Sequence, residues 1–169
     1  MRTLSVRQFR KLHIASECQG ETRGVVYAWA LTQPHAADSP MLPTLLDRLE
    51  GPLGSVLGDA AYASRRNASY VGDHGGEPYF PPKFHWTARS KGHPSWRRMI
   101  LRYRHHPQVF HEAYRFRANV EGAFSSIKRH QGPFLRARNA AMQRREAGWR
   151  MIAKNLDLLG RFATHGAAP

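Results

Sequence analysis

Two stretches in which apolar and polar residues alternate, Lys11 to Ser16 (KLHIAS) and Val25 to Thr32 (VVYAWALT), constrain this chain most. A period of two marks a strand with one face covered, because successive side chains point to opposite sides. The intervening CQGETRG reads as a turn, so the pair is expected to form an antiparallel hairpin. Asp38-Ser39-Pro40 then reads as a helix start, with Asp38 or Ser39 as the cap and Pro40 in the first turn. The helix MLPTLLDRLE carries Met41, Leu42, Leu45, Leu46 and Leu49 on one face and stops at Gly51-Pro52. Ser55 to Gly58 is a brief apolar run closing on Asp59. It reads as a buried strand entered after a helix, which is the βαβ arrangement of a mixed α/β sheet.

Farther along, residues 60–73 read as helix and Pro78 to Lys83 (PYFPPK) as a short edge strand, since prolines give nothing to a ladder. Residues 83–95 are rich in Gly, Pro and charge and read as an exposed, mobile loop. Helices are expected over Ser95 to His105, Pro107 to His130 and roughly Asn139 to Leu159. In the last, Trp149, Ile152, Leu156 and Leu159 stand at the 3-4-3 spacing of a packing face. A chain of 169 residues with 41% hydrophobic composition fits one folded domain with a real core.

The formal charge of +14 is unevenly spread. Residues 1–60 hold six basic and six acidic side chains, whereas residues 61–169 hold twenty and six, so the whole excess lies there. A field of one sign over two-thirds of the chain points to a polyanionic partner. Of the 26 basic residues 21 are Arg, whose planar fork suits phosphate oxygens. Cys18 is the only cysteine, which excludes an internal disulfide and a thiolate metal site. No apolar run approaches the roughly 20 residues that span a bilayer, and the N-terminus lacks the apolar stretch of a signal peptide. The expected location is the cytoplasm, with the nucleoid, and no membrane partner.

Two carboxylates stand out. Asp59, at the end of a strand, would point into the crevice where open α/β sheets bind ligands, or would cap the next helix through the amides of Ala61 or Tyr62. Glu121 lies in YRFRANVEGAFSSIKRHQG, where Tyr114, Arg117, Glu121 and Lys128 follow at separations of three, four and seven. On one continuous helix those side chains would fall within a stripe of about 60°. A carboxylate flanked by two cations and a phenol can bind a metal while its neighbours hold a phosphodiester. It can equally be a solvated face with an Arg117–Glu121 pair at i,i+4.

The pattern Tyr-x2-Arg-x3-Glu-x6-Lys, met in full by Tyr114, Arg117, Glu121 and Lys128, resembles the signature of a large group of bacterial insertion-sequence transposases of the DDE type. LGDAAYAS looks like the family's strand ending in its second catalytic Asp. KLHIA and VVYAWALTQPHAADSPMLPTLL look like the strands and helix before it, so the likeness covers about residues 10–160. The resemblance implies a ribonuclease-H-like mixed sheet flanked by helices, and a catalytic Asp-Asp-Glu triad holding two Mg²⁺ ions, with Mn²⁺ able to substitute. Asp59 and Glu121 would be catalytic residues and metal ligands. Tyr114, Arg117 and Lys128 would bind DNA. The two carboxylates would face one another across a cleft.

One departure matters. The first catalytic Asp belongs on a strand upstream of KLHIA, yet MRTLSVRQFR contains no acidic residue. The expected organisation is therefore a remnant segment 1–10, a partial catalytic domain 11–160 lacking the first strand, and a tail 161–169. The expected activity is metal-dependent cleavage and strand transfer at insertion-sequence ends, by a truncated or incomplete transposase that is inactive alone. The partners would be duplex DNA, as element ends and target, and a full-length transposase subunit. The rival is a non-catalytic DNA-binding remnant that competes with or partners such a transposase. A zinc site among His105, His106 and His111 is not expected, since 106 and 111 do not have the i,i+4 spacing of a helical pair. Trp86 and Trp96, among cations, read equally as base-stacking groups or as anchors of the loop.

Overall fold

A computed structural model describes residues 9–89 and 92–165. Two compact units share the chain: one is residues 37–117, the other combines the segments on either side. Strands and helices are both present, in a mixed α/β composition.

The flanking unit begins with the expected hairpin. Strands β1 (Lys11–Ser16) and β2 (Val26–Thr32) pair antiparallel, with a register shift between Ala15 and Ser16. That irregularity leaves Val25 outside the strand, its carbonyl accepting from the Glu17 amide at 2.9 Å. On the buried face Ile14 and Val26 meet Ala123 and Ile127 of helix α5 (Ala118–Gln131) and Met151 of helix α6 (Ala140–His165). Asn155 of α6 blunts the outer edge of β2: its side chain accepts from the Val26 amide at 2.9 Å and donates to the Val26 carbonyl at 2.8 Å. Unpaired strand edges invite further pairing, and this amide occupies one.

The 37–117 unit holds helix α1 (Met41–Leu46), strand β3 (Ser55–Leu57), helix α2 (Arg65–Asp73), strand β4 (Glu77–Tyr79), helix α3 (Ser95–His105) and helix α4 (Pro107–Tyr114). β3 and β4 run parallel with α2 as the crossover, which is a short βαβ unit. Its core gathers Leu42, Leu46, Val71, Phe80, Trp96, Met99, Ile100 and Phe110. Gly76, before β4, is required by space: a Cβ there would stand 2.8 Å from the Leu53 Cβ and 2.9 Å from the Gly54 carbonyl.

Several expectations change. The described strands form two separate two-stranded sheets rather than one mixed sheet. β3 is only half-buried, with Ser55 exposed, because a three-residue strand with one neighbour is covered on few sides. No side chain caps α1: the amides of Met41 and Leu42 bond the backbone carbonyls of Asp38 and Ser39, and the cap position is Pro40. The helix over residues 107–130 is not continuous. A 3₁₀ segment, Arg115–Arg117, divides α4 from α5, so residues 114–128 do not share one helical phase.

The face of α6 is also reversed. Ala147, Met151 and Lys154 are buried, while Trp149, Ile152, Leu156 and Leu159 are exposed. α6 also runs on to His165, through the first five residues of the expected tail. The loop 83–95 includes residues 90 and 91, which lie outside the described residues, as do 1–8 and 166–169 at the expected termini.

Candidate active site

Asp59 follows β3 after one residue, Gly58. The Gly58 amide extends the parallel ladder by bonding the Tyr79 carbonyl at 3.3 Å. A Cβ on Gly58 would come within 3.0 Å of the Phe80 ring, so glycine lets the chain approach β4 at this point. Asp59 then turns the backbone. Its Oδ1 accepts from the Ala61 amide at 2.9 Å, and its carbonyl accepts from the Tyr62 amide at 3.0 Å. Its Oδ2 lies 3.8 Å from the Arg117 guanidinium, with the carboxylate side chain 46% exposed. The cap of α2 is Ser64, whose Oγ accepts from the Asn67 amide at 3.1 Å, so Asp59 holds the turn before the helix rather than the helix itself.

Asn67 organises the same loop and carries no signal in the sequence beyond being an isolated Asn. It is almost wholly buried. Its side-chain NH₂ donates to the Tyr62 carbonyl at 2.8 Å and to the Ser39 carbonyl and Oγ at 3.0 Å each. One amide thus joins the segment entering α1 to the segment leaving Asp59. Between them sits Tyr62. Burial, then the negative charges of Asp38 and Asp59, push its hydroxyl up to about 12, so it stays protonated through neutral pH. Asp38, expected as a cap, is instead an electrostatic neighbour of this tyrosine.

The four motif residues are distributed over three elements. Tyr114 ends α4 with its ring stacked on Phe110 at 5.6 Å, against the core. Arg117 closes the 3₁₀ segment beside Asp59. Glu121 lies in the first turn of α5 and Lys128 in the last, both exposed. A carboxylate at a helix N-terminus and a cation at its C-terminus each complement the helix dipole, which would favour both without any ligand. Asp59 belongs to the 37–117 unit and Glu121 to the other.

Carboxylate oxygens are the donors Mg²⁺ takes. Two carboxylates are nevertheless too few to bridge and hold two such ions, which normally also keep several waters. Among the described residues no group of three or more His, Cys, Asp or Glu could hold a metal ion. As it stands, the donor set does not fit a two-metal centre.

The tryptophans anchor the loop. Trp96 is buried, donates its indole N–H to the Thr87 carbonyl at 3.0 Å, and packs on Trp86 at 5.3 Å. Arg104 holds the carbonyls of Phe84 and Trp86. Phe84 itself, which sequence reasoning passed over, is 99% exposed. Arg89 and Arg97 line a shallow concavity with Ala88 and Leu101. No helix among the described residues is long and apolar enough to cross a membrane.

No curated protein and no solved structure matches the chain. The family model described as a transposase DDE domain matches residues 5–156. Because that match spans most of the sequence and includes both Asp59 and Glu121, the chain belongs to the transposase DDE-domain family.

Proposed function

We propose that the chain serves DNA transposition through metal-dependent strand cleavage at insertion-sequence ends and transfer of the 3′-hydroxyl to target DNA. Asp59 and Glu121 supply two of the carboxylates and Arg117, Lys128 and Tyr114 contact DNA. The observation that carries the reading is the family match over residues 5–156 together with the complete Tyr114, Arg117, Glu121, Lys128 pattern. Family membership brings transposition as the general activity, DNA as the substrate and a divalent metal as the usual cofactor. Mg²⁺, with Mn²⁺ able to substitute, is the ion this reading expects once a third carboxylate completes the set. The sheet is read as ribonuclease-H-like without its first strand. An antiparallel pair, β1–β2, and a parallel pair, β3–β4, are the two kinds of strand pairing that a mixed sheet contains. The reading puts the protein in the cytoplasm, at the nucleoid.

By itself the 169-residue chain should not cut DNA, because none of its residues is assigned as the bridging carboxylate. The test is a nicking assay with Mg²⁺ or Mn²⁺ on DNA carrying the element's ends, beside an Asp59→Ala, Glu121→Ala control. Restoring an upstream strand that ends in Asp should produce cleavage that the double substitution abolishes. Cleavage equal in the control would remove Asp59 and Glu121 from the chemistry.

A second reading, a non-catalytic DNA-binding partner of a full-length transposase, is favoured by one observation. Asp59 already spends Oδ1 on the Ala61 amide and sets Oδ2 near Arg117, an arrangement complete without a ligand. Failure of the restored chain to cleave, with DNA binding intact, would select it.

A further inference from the structure

Helix α6 buries one face and leaves an apolar face uncovered on the opposite side. The covered face carries Gln143, Ala147, Met151 and Lys154. The other carries Met142, Trp149, Ile152, Leu156 and Leu159, which are 46%, 69%, 49%, 61% and 54% exposed. At about 100° per residue the centres of the two faces lie roughly 170° apart. The uncovered residues follow at separations of seven, three, four and three, the a and d positions of a heptad seam, with Arg145 at the one polar d position. The seam is bordered by the small residues Ala153 and Gly160, and a Cβ on Gly160 would meet only open space.

We infer that this face is a self-association surface, on which a second copy of the chain lays its own α6 antiparallel about a two-fold axis. Three arguments select that occupant. The seam is self-complementary when reversed: Met142 falls opposite Leu159 and Trp149 opposite Ile152, the a-to-d pairing of an antiparallel helix pair. Charge selects the orientation, since a parallel pair would set Arg145 against its own copy, whereas the antiparallel pair carries it to the level of Leu156 and Asp157. The area is sufficient. Taking roughly 100 Å² of apolar surface for an aliphatic side chain and 200 Å² for Trp, these exposures leave about 350 Å² per copy. At the roughly 60% apolar share of interfaces, two copies would bury about 1,200 Å², above the ~1,000 Å² of a specific contact. DNA fits this face poorly, because Arg145 is the only cation in the seam.

The experiment measures mass by sedimentation and tests geometry by cross-linking. The natural chain should be a dimer at tens of micromolar, and Ile152→Glu, which sets a carboxylate against Trp149 in this register, should return it to a monomer with unchanged circular dichroism and the melting temperature of the natural chain diluted until it dissociates. In a Cys18→Ser background, Met142→Cys with Leu159→Cys should form a disulfide between copies. The two positions lie about 26 Å apart along one helix, which forbids the bond within a chain. Either substitution alone should not form it. A monomer at every concentration would overturn the inference, as would a dimer that survives Ile152→Glu. A natural chain that is monomeric and is destabilised by Ile152→Glu would show instead that the chain covers its own face. Cross-linking by the single variants as efficient as by the double would refute the antiparallel geometry.

Discussion

Replacing Asn67 with Ala tests whether one buried amide holds the Asp59 loop. The side chain has two N–H donors, which serve the Tyr62 carbonyl at 2.8 Å and the Ser39 carbonyl and hydroxyl at 3.0 Å. Two net hydrogen bonds are worth about 0.5–1.5 kcal/mol each, and a buried carbonyl left without a donor costs a further ~1–3 kcal/mol unless water replaces the amide. Allowing for partial hydration, Asn67→Ala should cost about 2–4 kcal/mol. For a chain of this size that lowers the melting temperature by roughly 5–15 °C. Asn67→Asp should be at least as harmful at neutral pH, since a carboxylate would face two carbonyl oxygens, and should recover partly in acid as the carboxyl gains a proton. Denaturant titration gives the free energy, and hydrogen exchange at the α2 amides reports whether the loss is local to this unit. A loss below about 1 kcal/mol with unchanged α2 exchange would refute the reasoning, because it would mean that water or Ser39 satisfies the two carbonyls unaided.

Gly76→Ala should destabilise the 37–117 unit by about 1–3 kcal/mol in denaturant titration, because the new methyl meets the Gly54 backbone oxygen and the Leu53 and Val71 side chains. Ser64→Ala should cost about 0.5–2 kcal/mol through loss of the α2 cap, read from the same titration. Tyr62, raised from 10.0 to about 12, makes stability pH-dependent. Between those values the unfolded chain loses the phenolic proton and the folded chain keeps it, so stability falls as pH rises through the window. Tyr62→Phe should flatten that slope in alkaline melts. Duplex DNA binding, if six or more phosphates are neutralised, should weaken roughly a thousandfold or more between 50 and 200 mM salt in a fluorescence titration, and indifference to salt would remove the electrostatic basis for it.

Much of the fold was legible along the chain. KLHIAS and VYAWALT each satisfy one period, in segments long enough for the pattern to be unambiguous, and both became strands paired as a hairpin. The α3 boundaries at Ser95 and His105 were legible for a similar reason: Pro94 precedes the helix and Pro107 begins the next. Around Asp59, residue order indicated a strand end followed by a helix from residue 60 with Asp59 as a candidate cap, whereas the helix starts at Arg65 and its cap is Ser64. The electrostatic coupling of Tyr62 to Asp38 could not be read, because 24 positions separate them and only the packing of the α1 and α2 segments brings them together.

The two largest corrections share a cause. A periodic pattern states that residues share a face while the helix continues, and it carries no information once the backbone changes phase, as it does at Arg115–Arg117. It also cannot tell which apolar face a helix buries. α6 offers Ala147 and Met151 on one side and Trp149, Ile152, Leu156 and Leu159 on the other. Composition favours the second, which is larger and more hydrophobic, but the hairpin took the first, where Gly148 lets the Trp29 ring come within 3.0 Å of a Cβ position and Asn155 reaches the β2 edge. Local sequence determined the elements, the charge field and the family pattern. Which surfaces meet was decided by close packing and by the need to satisfy strand-edge backbone groups, properties of the assembled chain that no single segment contains.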